Sequence, residues 1–434
     1  MSISSDPQLD NQLVDRSQAG EDFPLSAVPA SARKPFWSLA LLLMGFALTS
    51  TTLFAGGAIG PAFNVPTLML VIVLGNLILG SYCAALGYIA CKSGLTTVLM
   101  ARFSFGDLGS RWVDFIMGFT QIGWYAFTTA IIVQVLMEIL GLPDSGILYV
   151  ALVIFFNYGF CATAYIGYRA IDWLSRLAVP AMLVLVAISL FLAFRDYGAA
   201  DAIVPSGELS VGAALAIVIG TFISGGTQAT NWSRFANTGK NAVIGTLSAF
   251  MLVNGILVFA GAFCTLVYGS QDLIMAMATQ GILVGGVVLL ILNVWTTQDN
   301  TIYAFSVAGS NMFRTPKRHL FVLGGATFAL VLTLAGIYEL LPTYLIFLGT
   351  VIPPVGGIIM VDYWLRHQGE FPLLSAKLPA FNWAGVIAYV AASAIAYLTG
   401  NANIGIGPVN GIISAAVLYT ILYRVIPQPI RQVD

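Results

Sequence analysis

Charge is what this chain lacks. Only 9% of its 434 residues are Asp, Glu, Lys or Arg, against roughly 25% in an ordinary soluble domain. With 58% hydrophobic residues and a mean hydropathy of +0.89, an integral membrane protein is the class that remains. The net charge of −1 leaves no basic surface for nucleic acid. Histidine is nearly absent: His319 and His367 both sit beside loops, which argues against a histidine-based metal or acid–base site. Cys83, Cys91, Cys161 and Cys264 all fall in apolar runs, so they read as small buried hydrophobes, neither a disulfide framework nor a metal cluster. The first 35 residues are polar and acidic (Asp6, Asp10, Asp15, Glu21, Asp22) and lack the apolar core of a signal peptide. Residues 1–35 are therefore expected to be a disordered cytoplasmic tail ahead of an uncleaved first span.

What is present is a series of apolar runs long enough to cross a bilayer as helices. Twelve are predicted, at 36–60, 66–91, 112–140, 146–166, 171–194, 211–229, 241–267, 282–308, 319–338, 342–362, 382–400 and 409–424, followed by a cytoplasmic tail over 425–434. With the N-terminus inside, seventeen of the eighteen Lys and Arg residues fall on or near the cytoplasmic side, and only Arg195 falls outside. A missed or invented span would scramble that alternation.

The eighth run carries Asn293-Val-Trp-Thr-Thr-Gln-Asp-Asn300 at mid-membrane depth. Polar groups are costly there unless they face protein, water or cargo, and an intramembrane ionisable group points to function. Asn293, Thr296, Thr297 and Asn300 share one helical face at i, i+3, i+4 and i+7. Singly, each could be glue between packed helices; four on one stripe beside Asp299 favour a functional site. Two other runs look interrupted, at Gly45–Thr52 followed by Gly56-Gly57, and at Gly220–Asn231. Clustered glycines and hydroxyls suit an unwound helix, although small-residue packing accounts for either segment alone. Both follow Gly-x-x-x-(Thr/Ser), at Gly45/Thr49 and Gly220/Ser224, an offset of 175 residues or five spans. An odd number of spans inverts the second copy, the pattern of an inverted-repeat transporter with a midplane site.

Span three places Gln121 and Trp124 on one face, with Trp124 about 18 Å into the helix, too deep for an interfacial belt; Trp112 is the belt residue. Phe222 lies in the second interruption beside Thr221 and Ser224. Two aromatic rings with an amide and hydroxyls suit a flat, uncharged, hydrogen-bonding ring, which stacking and amide pairing hold without charge. Most membrane aromatics only pack the bundle; the coincidence with the polar runs tips the balance. The absence of a central basic residue argues against phosphorylated cargo.

These stretches resemble the nucleobase:cation symporter-1 family, and within it the purine-cytosine permease group of bacteria. The matching segments are Val28-Pro-Ala-Ser-Ala-Arg-Lys34, Gly94-Leu-Thr-Thr97, Ala101-Arg-Phe-Ser-Phe-Gly106, Thr120-Gln-Ile-Gly-Trp124, Phe222-Ile-Ser224, Asn293-Val-Trp-Thr-Thr297, Asp299-Asn300 and Ile352-Pro-Pro-Val-Gly-Gly357. The resemblance implies an all-α membrane protein of LeuT-like fold. Residues 36–194 and 211–362 would be two inverted five-helix repeats, and 382–424 two further helices. It implies sodium-coupled import of a nucleobase, cytosine first, across the inner membrane. The base would lie between Trp124 and Phe222, its edge read by Gln121, Thr221 and Ser224, with Gln298 on the substrate side. Sodium ligands would be carbonyls of Gly45 and Leu48, a contribution from Asn293, and the hydroxyls of Thr296 and Thr297.

Two positions depart from the cytosine permeases: Thr221 stands where serine is expected and Gln298 where asparagine is expected. Asp299 is expected either to accept a hydrogen bond from Asn300 or a neighbouring helix, or to carry a coupling proton. No cofactor beyond the coupling ion is implied, and a monomer is the working expectation. An amino-acid or osmolyte symporter of the same architecture is the rival among transporters. A membrane-embedded enzyme lacks a histidine or cysteine constellation, and a channel lacks a continuous polar path.

Overall fold

The protein is described by a computed structural model covering residues 23, 25–197, 207, 209–269, 273–372, 374 and 378–426. Those residues are helical apart from their connections and one isolated bridge between Lys34 and Ala236. In chain order the helices are α1 (Phe36–Ala47), α2 (Ser50–Ile59), α3 (Val65–Ser93), α4 (Thr97–Phe105), α5 (Ser110–Leu140), α6 (Gly146–Ile166) and α7 (Tyr168–Tyr197). Next come α8 (Val211–Gly220), α9 (Ile223–Thr227), α10 (Thr230–Ser233), α11 (Gly239–Leu247), α12 (Asn254–Tyr268) and α13 (Leu273–Thr279). The last are α14 (Leu283–Met312), α15 (Arg318–Leu334), α16 (Leu341–Val351), α17 (Pro353–Val361), α18 (Trp383–Asn401) and α19 (Gly407–Val425). A π-helical turn, Ser248–Val253, joins α11 to α12.

Among the described residues, eight helices are long and apolar enough to cross a membrane, or ten when each of two bent pairs counts as one span. Helical segments occupy the larger part of each of the twelve predicted intervals, with breaks inside several of them. The two intervals outside that apolar class hold α14, which carries the polar run, and the shorter α15. Local chemistry sets the ends. Asn64 caps α3 by accepting from the Thr67 amide at 3.0 Å, and Gly94 closes it in the left-handed region (φ 73°).

The two bent pairs are α1–α2 and α8 with the helical segment Ile223–Ser233, and each bends by 53°. At the first break Leu48 and Thr49 are extended. At the second, Phe222 leaves the helical region with φ −134° and ψ 8°. Gly56 and Gly57, grouped above with the first interruption, lie inside the helix α2. Gly56 serves close approach: a Cβ there would sit 2.1 Å from the Val258 carbonyl oxygen, and one at Gly261 would sit 2.0 Å from that of Leu53. Helices α2 and α12 thus pack backbone to backbone through small residues.

The expected free tail needs correction. Residues 1–22 and 24 lie outside the described residues, but the segment just before α1 is held across the helix ends. Val28 is buried and its amide donates to the Gly94 carbonyl at 3.0 Å. Arg33 Nη1 donates to the carbonyls of Cys91, Arg234 and Ala236 at 2.8, 2.6 and 3.0 Å. One guanidinium nitrogen sharing its two N–H donors among three carbonyls ties this stretch to the helix ends despite its polarity. At the other end α19 runs to Val425, and 427–434 lie outside the described residues.

Candidate functional site

Helix α14 packs along α5 and against the first break. A break inside an apolar bundle strands the last carbonyls of one helix and the first amides of the next. The polar run supplies partners to both sides. Asn293 Oδ1 accepts from the Ser50 amide at 2.7 Å, and Thr297 Oγ1 donates to the Leu48 carbonyl at 3.0 Å. One helical turn of α14 therefore staples the end of α1 to the start of α2. Asn293 Nδ2 and Ser50 Oγ are buried there without a protein partner. Thr296, on the same stripe, bonds the Leu292 and Asn293 carbonyls of its own helix. Gly45 is buried one turn before the break, close to Ser175, whose hydroxyl is also buried and unpartnered.

Beside this staple lies a small cavity of about 20 Å³, room for roughly one water molecule. It is lined by Phe46, Thr49, Thr51, Gln121, Trp124, Thr221, Phe222, Gly225, Thr297 and Thr301. No ionisable side chain is among them. Both breaks reach it, through Thr49 and through Thr221–Phe222. Helix α5 supplies Gln121 and Trp124, and α14 supplies Thr297 and Thr301. A planar ring is larger than the cavity, so admitting one requires the lining side chains to part.

The aromatic lining is buttressed. Tyr344 of α16 meets the Trp124 indole edge-on, with centroids 5.7 Å apart at 79°, and donates its hydroxyl proton to the Thr120 carbonyl. Phe222 packs edge-on against Phe46 at 5.2 Å and at a tilt of 54° against Phe250 at 5.3 Å. Gln121 Nε2 donates to Ser224 Oγ at 3.3 Å, and Ser224 Oγ donates to Thr120 Oγ1 at 3.1 Å. Gln121 Oε1 is buried with no protein partner, an acceptor without a donor in the wall of the cavity. A buried acceptor of that kind favours a ligand that brings an N–H or O–H.

Of the residues singled out for the ring, Gln121, Trp124, Thr221 and Phe222 line this cavity, and Ser224 stands one hydrogen bond behind it. Gln298 is placed elsewhere. Its Nε2 donates to Thr129 Oγ1 at 2.8 Å and to the Tyr125 carbonyl at 3.3 Å, so it faces α5 behind the cavity. Thr297 and Thr301, one turn apart, hold the lining face of α14. Asp299 is fully buried, and its Oδ2 accepts from Thr163 Oγ1 of α6 at 3.0 Å. The same hydroxyl accepts from Trp295 Nε1 at 3.1 Å, while Asp299 Oδ1 has no protein partner.

Sequence reasoning missed several residues here. Thr49, Thr51 and Phe46 fall in or beside the interrupted stretch already quoted, and Thr301 continues the stripe at i+4 from Thr297. Asn76 and Asn254, lone amides in apolar runs, hydrogen-bond each other at 2.8 Å, and Asn254 reaches Thr221 at 3.0 Å. The rule that flags intramembrane polarity would have found both. A larger cleft of about 690 Å³, bounded in part by Lys92, Ser93, Tyr363 and Phe371, shares no residue with the polar run.

Comparison with known proteins agrees with this architecture. Residues 27–425 match the family model for permeases for cytosine/purines, uracil, thiamine and allantoin. A cytosine permease of Escherichia coli (strain K12) is 34% identical over 406 residues, covering 92% of this chain and 94% of that protein. The closed, bromovinylhydantoin-bound structure of Mhp1, a nucleobase-cation-symport-1 family transporter, superposes with a TM-score of 0.80 at 19% identity, covering 92% and 94% of the two chains. A Na+-coupled sialic acid symporter in a substrate-bound outward-open state gives a TM-score of 0.71 at 11% identity over 98% of each chain. The match across nearly the whole chain, with a relative above the level at which a fold alone is shared, places the protein in this permease family and makes it a membrane transporter, not an enzyme.

Proposed function

We propose that this transporter imports a nucleobase, cytosine first, by symport with sodium through alternating access. The observation that carries the reading is the cavity between the two breaks. It joins Trp124, Phe222 and the unpartnered Gln121 Oε1, and no ionisable side chain lines it. An amino acid or betaine would bring an ammonium group that no side chain there answers and that a sodium ion at the neighbouring break would repel, a cost that a neutral base avoids. The base stacks between Trp124 and Phe222, with Gln121 and Thr221 reading its edge and Ser224 holding the Gln121 amide. Gln298 acts from behind, through α5. Sodium binds at the first break, on the carbonyls of Gly45 and Leu48 with Asn293, Thr296 and Thr297. Neutral oxygens at an unwound helix suit a hard monovalent cation.

The chain as a whole is read as twelve spans in the bacterial inner membrane, both termini cytoplasmic, acting as a monomer. Two inverted five-helix repeats, with their interrupted first helices at α1–α2 and α8–α9, enclose the site. The matching 53° bends support that reading. Proton coupling is the second reading, favoured by one observation: Asp299 is a fully buried carboxyl whose Oδ2 accepts from the Thr163 hydroxyl while its Oδ1 has no partner among the described residues. Uptake of cytosine, uracil, adenine, hypoxanthine and hydroxymethylpyrimidine in one permease-deficient strain tests the cargo. Cytosine uptake competed by a close pyrimidine supports the proposal, and saturable uptake of none of the five refutes it.

A further inference from the structure

The two breaks are joined by a third element, the π turn Ser248–Val253 and the first residue of α12. Phe250, in the π turn, packs on Phe46 of the first broken helix at 6.4 Å and on Phe222 of the second at 5.3 Å. Four residues on, Asn254 repeats the pattern in polar form. Thr52 Oγ1 donates to Asn254 Oδ1 at 2.9 Å, and Asn254 Nδ2 donates to Thr221 Oγ1 at 3.0 Å and to Asn76 Oδ1 at 2.8 Å. Thr52 lies in α2 just past the first break, and Thr221 lies at the second. π turns recur at functional sites because they change the register of one helical face against its neighbours.

The direction of every bond in this network is fixed by backbone carbonyls, which only accept. Asn76 Nδ2 donates to the Ile72 carbonyl at 2.8 Å, so Asn76 turns its Oδ1 to Asn254. Asn254 must then present Nδ2 to Asn76 and Oδ1 to Thr52. Thr221 Oγ1 spends its proton on the Val218 carbonyl at 2.7 Å, so it accepts from Asn254. All four side chains are buried, and Asn254 is fully so. A saturated buried amide of this kind has one orientation, and loss of any partner leaves it under-satisfied.

We propose that Asn254 is the positioning residue that couples ion to substrate, holding Thr221 in the ring cavity only while Thr52 is held by an ordered first break. The inference rests on the reading of the first break as the sodium site and of Thr221 as a cavity residue in the substrate pocket. When α2 shifts, Asn254 loses the Thr52 donor and releases its grip on Thr221; when sodium orders the break, the amide locks and the pocket tightens. Reciprocal coupling of this type is commonly about 5- to 150-fold in affinity.

The test measures cytosine affinity of the purified full-length protein at zero and at saturating sodium, in wild type, Thr52→Val, Thr52→Ser and Asn254→Leu. Thr52→Val keeps shape and removes only the donor. Its sodium-free affinity should stay within about twofold of wild type, while the gain on adding sodium should shrink by about three- to tenfold. Thr52→Ser keeps the donor and should restore the gain. Asn254→Leu should lose both the gain and part of the sodium-free affinity. Thr52→Ala reads the same loss if the valine variant does not fold. A Thr52→Val protein with the full wild-type gain overturns the role of Asn254 and leaves the sodium reading standing. A wild type that binds cytosine with no gain from sodium overturns both.

Discussion

Replacing Thr297 by valine keeps the side chain's shape and deletes one hydroxyl. In the structure that hydroxyl donates to the Leu48 carbonyl at 3.0 Å, at a site where both residues are buried. Its lone pairs remain free to face an ion that the same carbonyl faces. A net hydrogen bond is worth about 0.5–1.5 kcal/mol, and a buried carbonyl left unsatisfied raises the loss to about 1–3 kcal/mol. At about 1.4 kcal/mol per factor of ten, half-saturation by sodium should rise by roughly 5- to 150-fold. Thr297→Ser keeps the hydroxyl and should stay near wild type. The assay is a sodium titration of cytosine binding by the purified protein, with melting temperature as the control for a loosened break. A valine variant that melts normally and half-saturates at the wild-type sodium concentration would refute the assignment of Thr297 to the ion.

Three further outcomes follow from the same geometry. Trp124→Ala removes one stacking face, worth about 1–3 kcal/mol, so cytosine affinity measured by equilibrium binding should fall by roughly 5- to 150-fold; an unchanged affinity would remove the stacked site. Gly261→Ala places a Cβ 2.0 Å from the Leu53 carbonyl oxygen and should lower the thermal midpoint of the solubilised protein, an overpacking cost of about 1–3 kcal/mol. A midpoint equal to wild type would show that α2 and α12 are not in direct backbone contact. Asp299→Asn keeps an acceptor for Thr163, so uptake should fall by no more than about 2- to 12-fold, the range of one neutral hydrogen bond, with the same pH profile. Loss of pH dependence in that variant would identify Asp299 as a proton carrier.

The interruptions were legible because clustered glycine and hydroxyl residues have few other uses at mid-membrane depth. Which residue breaks the helix was not. Gly56 and Gly57 look as permissive as anything near Leu48, and only the approach of α12 shows that Gly56 is spent on packing. The stripe Asn293–Thr297 was legible as a set, since helical spacing puts those residues on one face. Its two ends turn out to cap a break in a different helix. The family resemblance put Gln298 on the substrate side, yet one residue of helical rotation beyond Thr297 aims it at Thr129 on α5. Asn76 and Asn254 escaped notice because each is a single amide in an apolar run. Their meaning comes from a contact 178 positions apart, which periodicity cannot supply. The N-terminal segment was misjudged for a related reason: its composition is that of a tail, and Arg33 finds its three carbonyls only after the bundle has formed.

In the proposed cycle the cavity between the two breaks carries a neutral base inward at the expense of a sodium gradient. Uptake of radiolabelled cytosine into proteoliposomes holding the purified protein, with sodium outside only, measures it directly. The label should accumulate above the external concentration, collapse when the sodium gradient is dissipated, and be competed by unlabelled cytosine but not by glycine or betaine. Equilibration without accumulation, or accumulation that survives loss of the sodium gradient, would contradict that cycle.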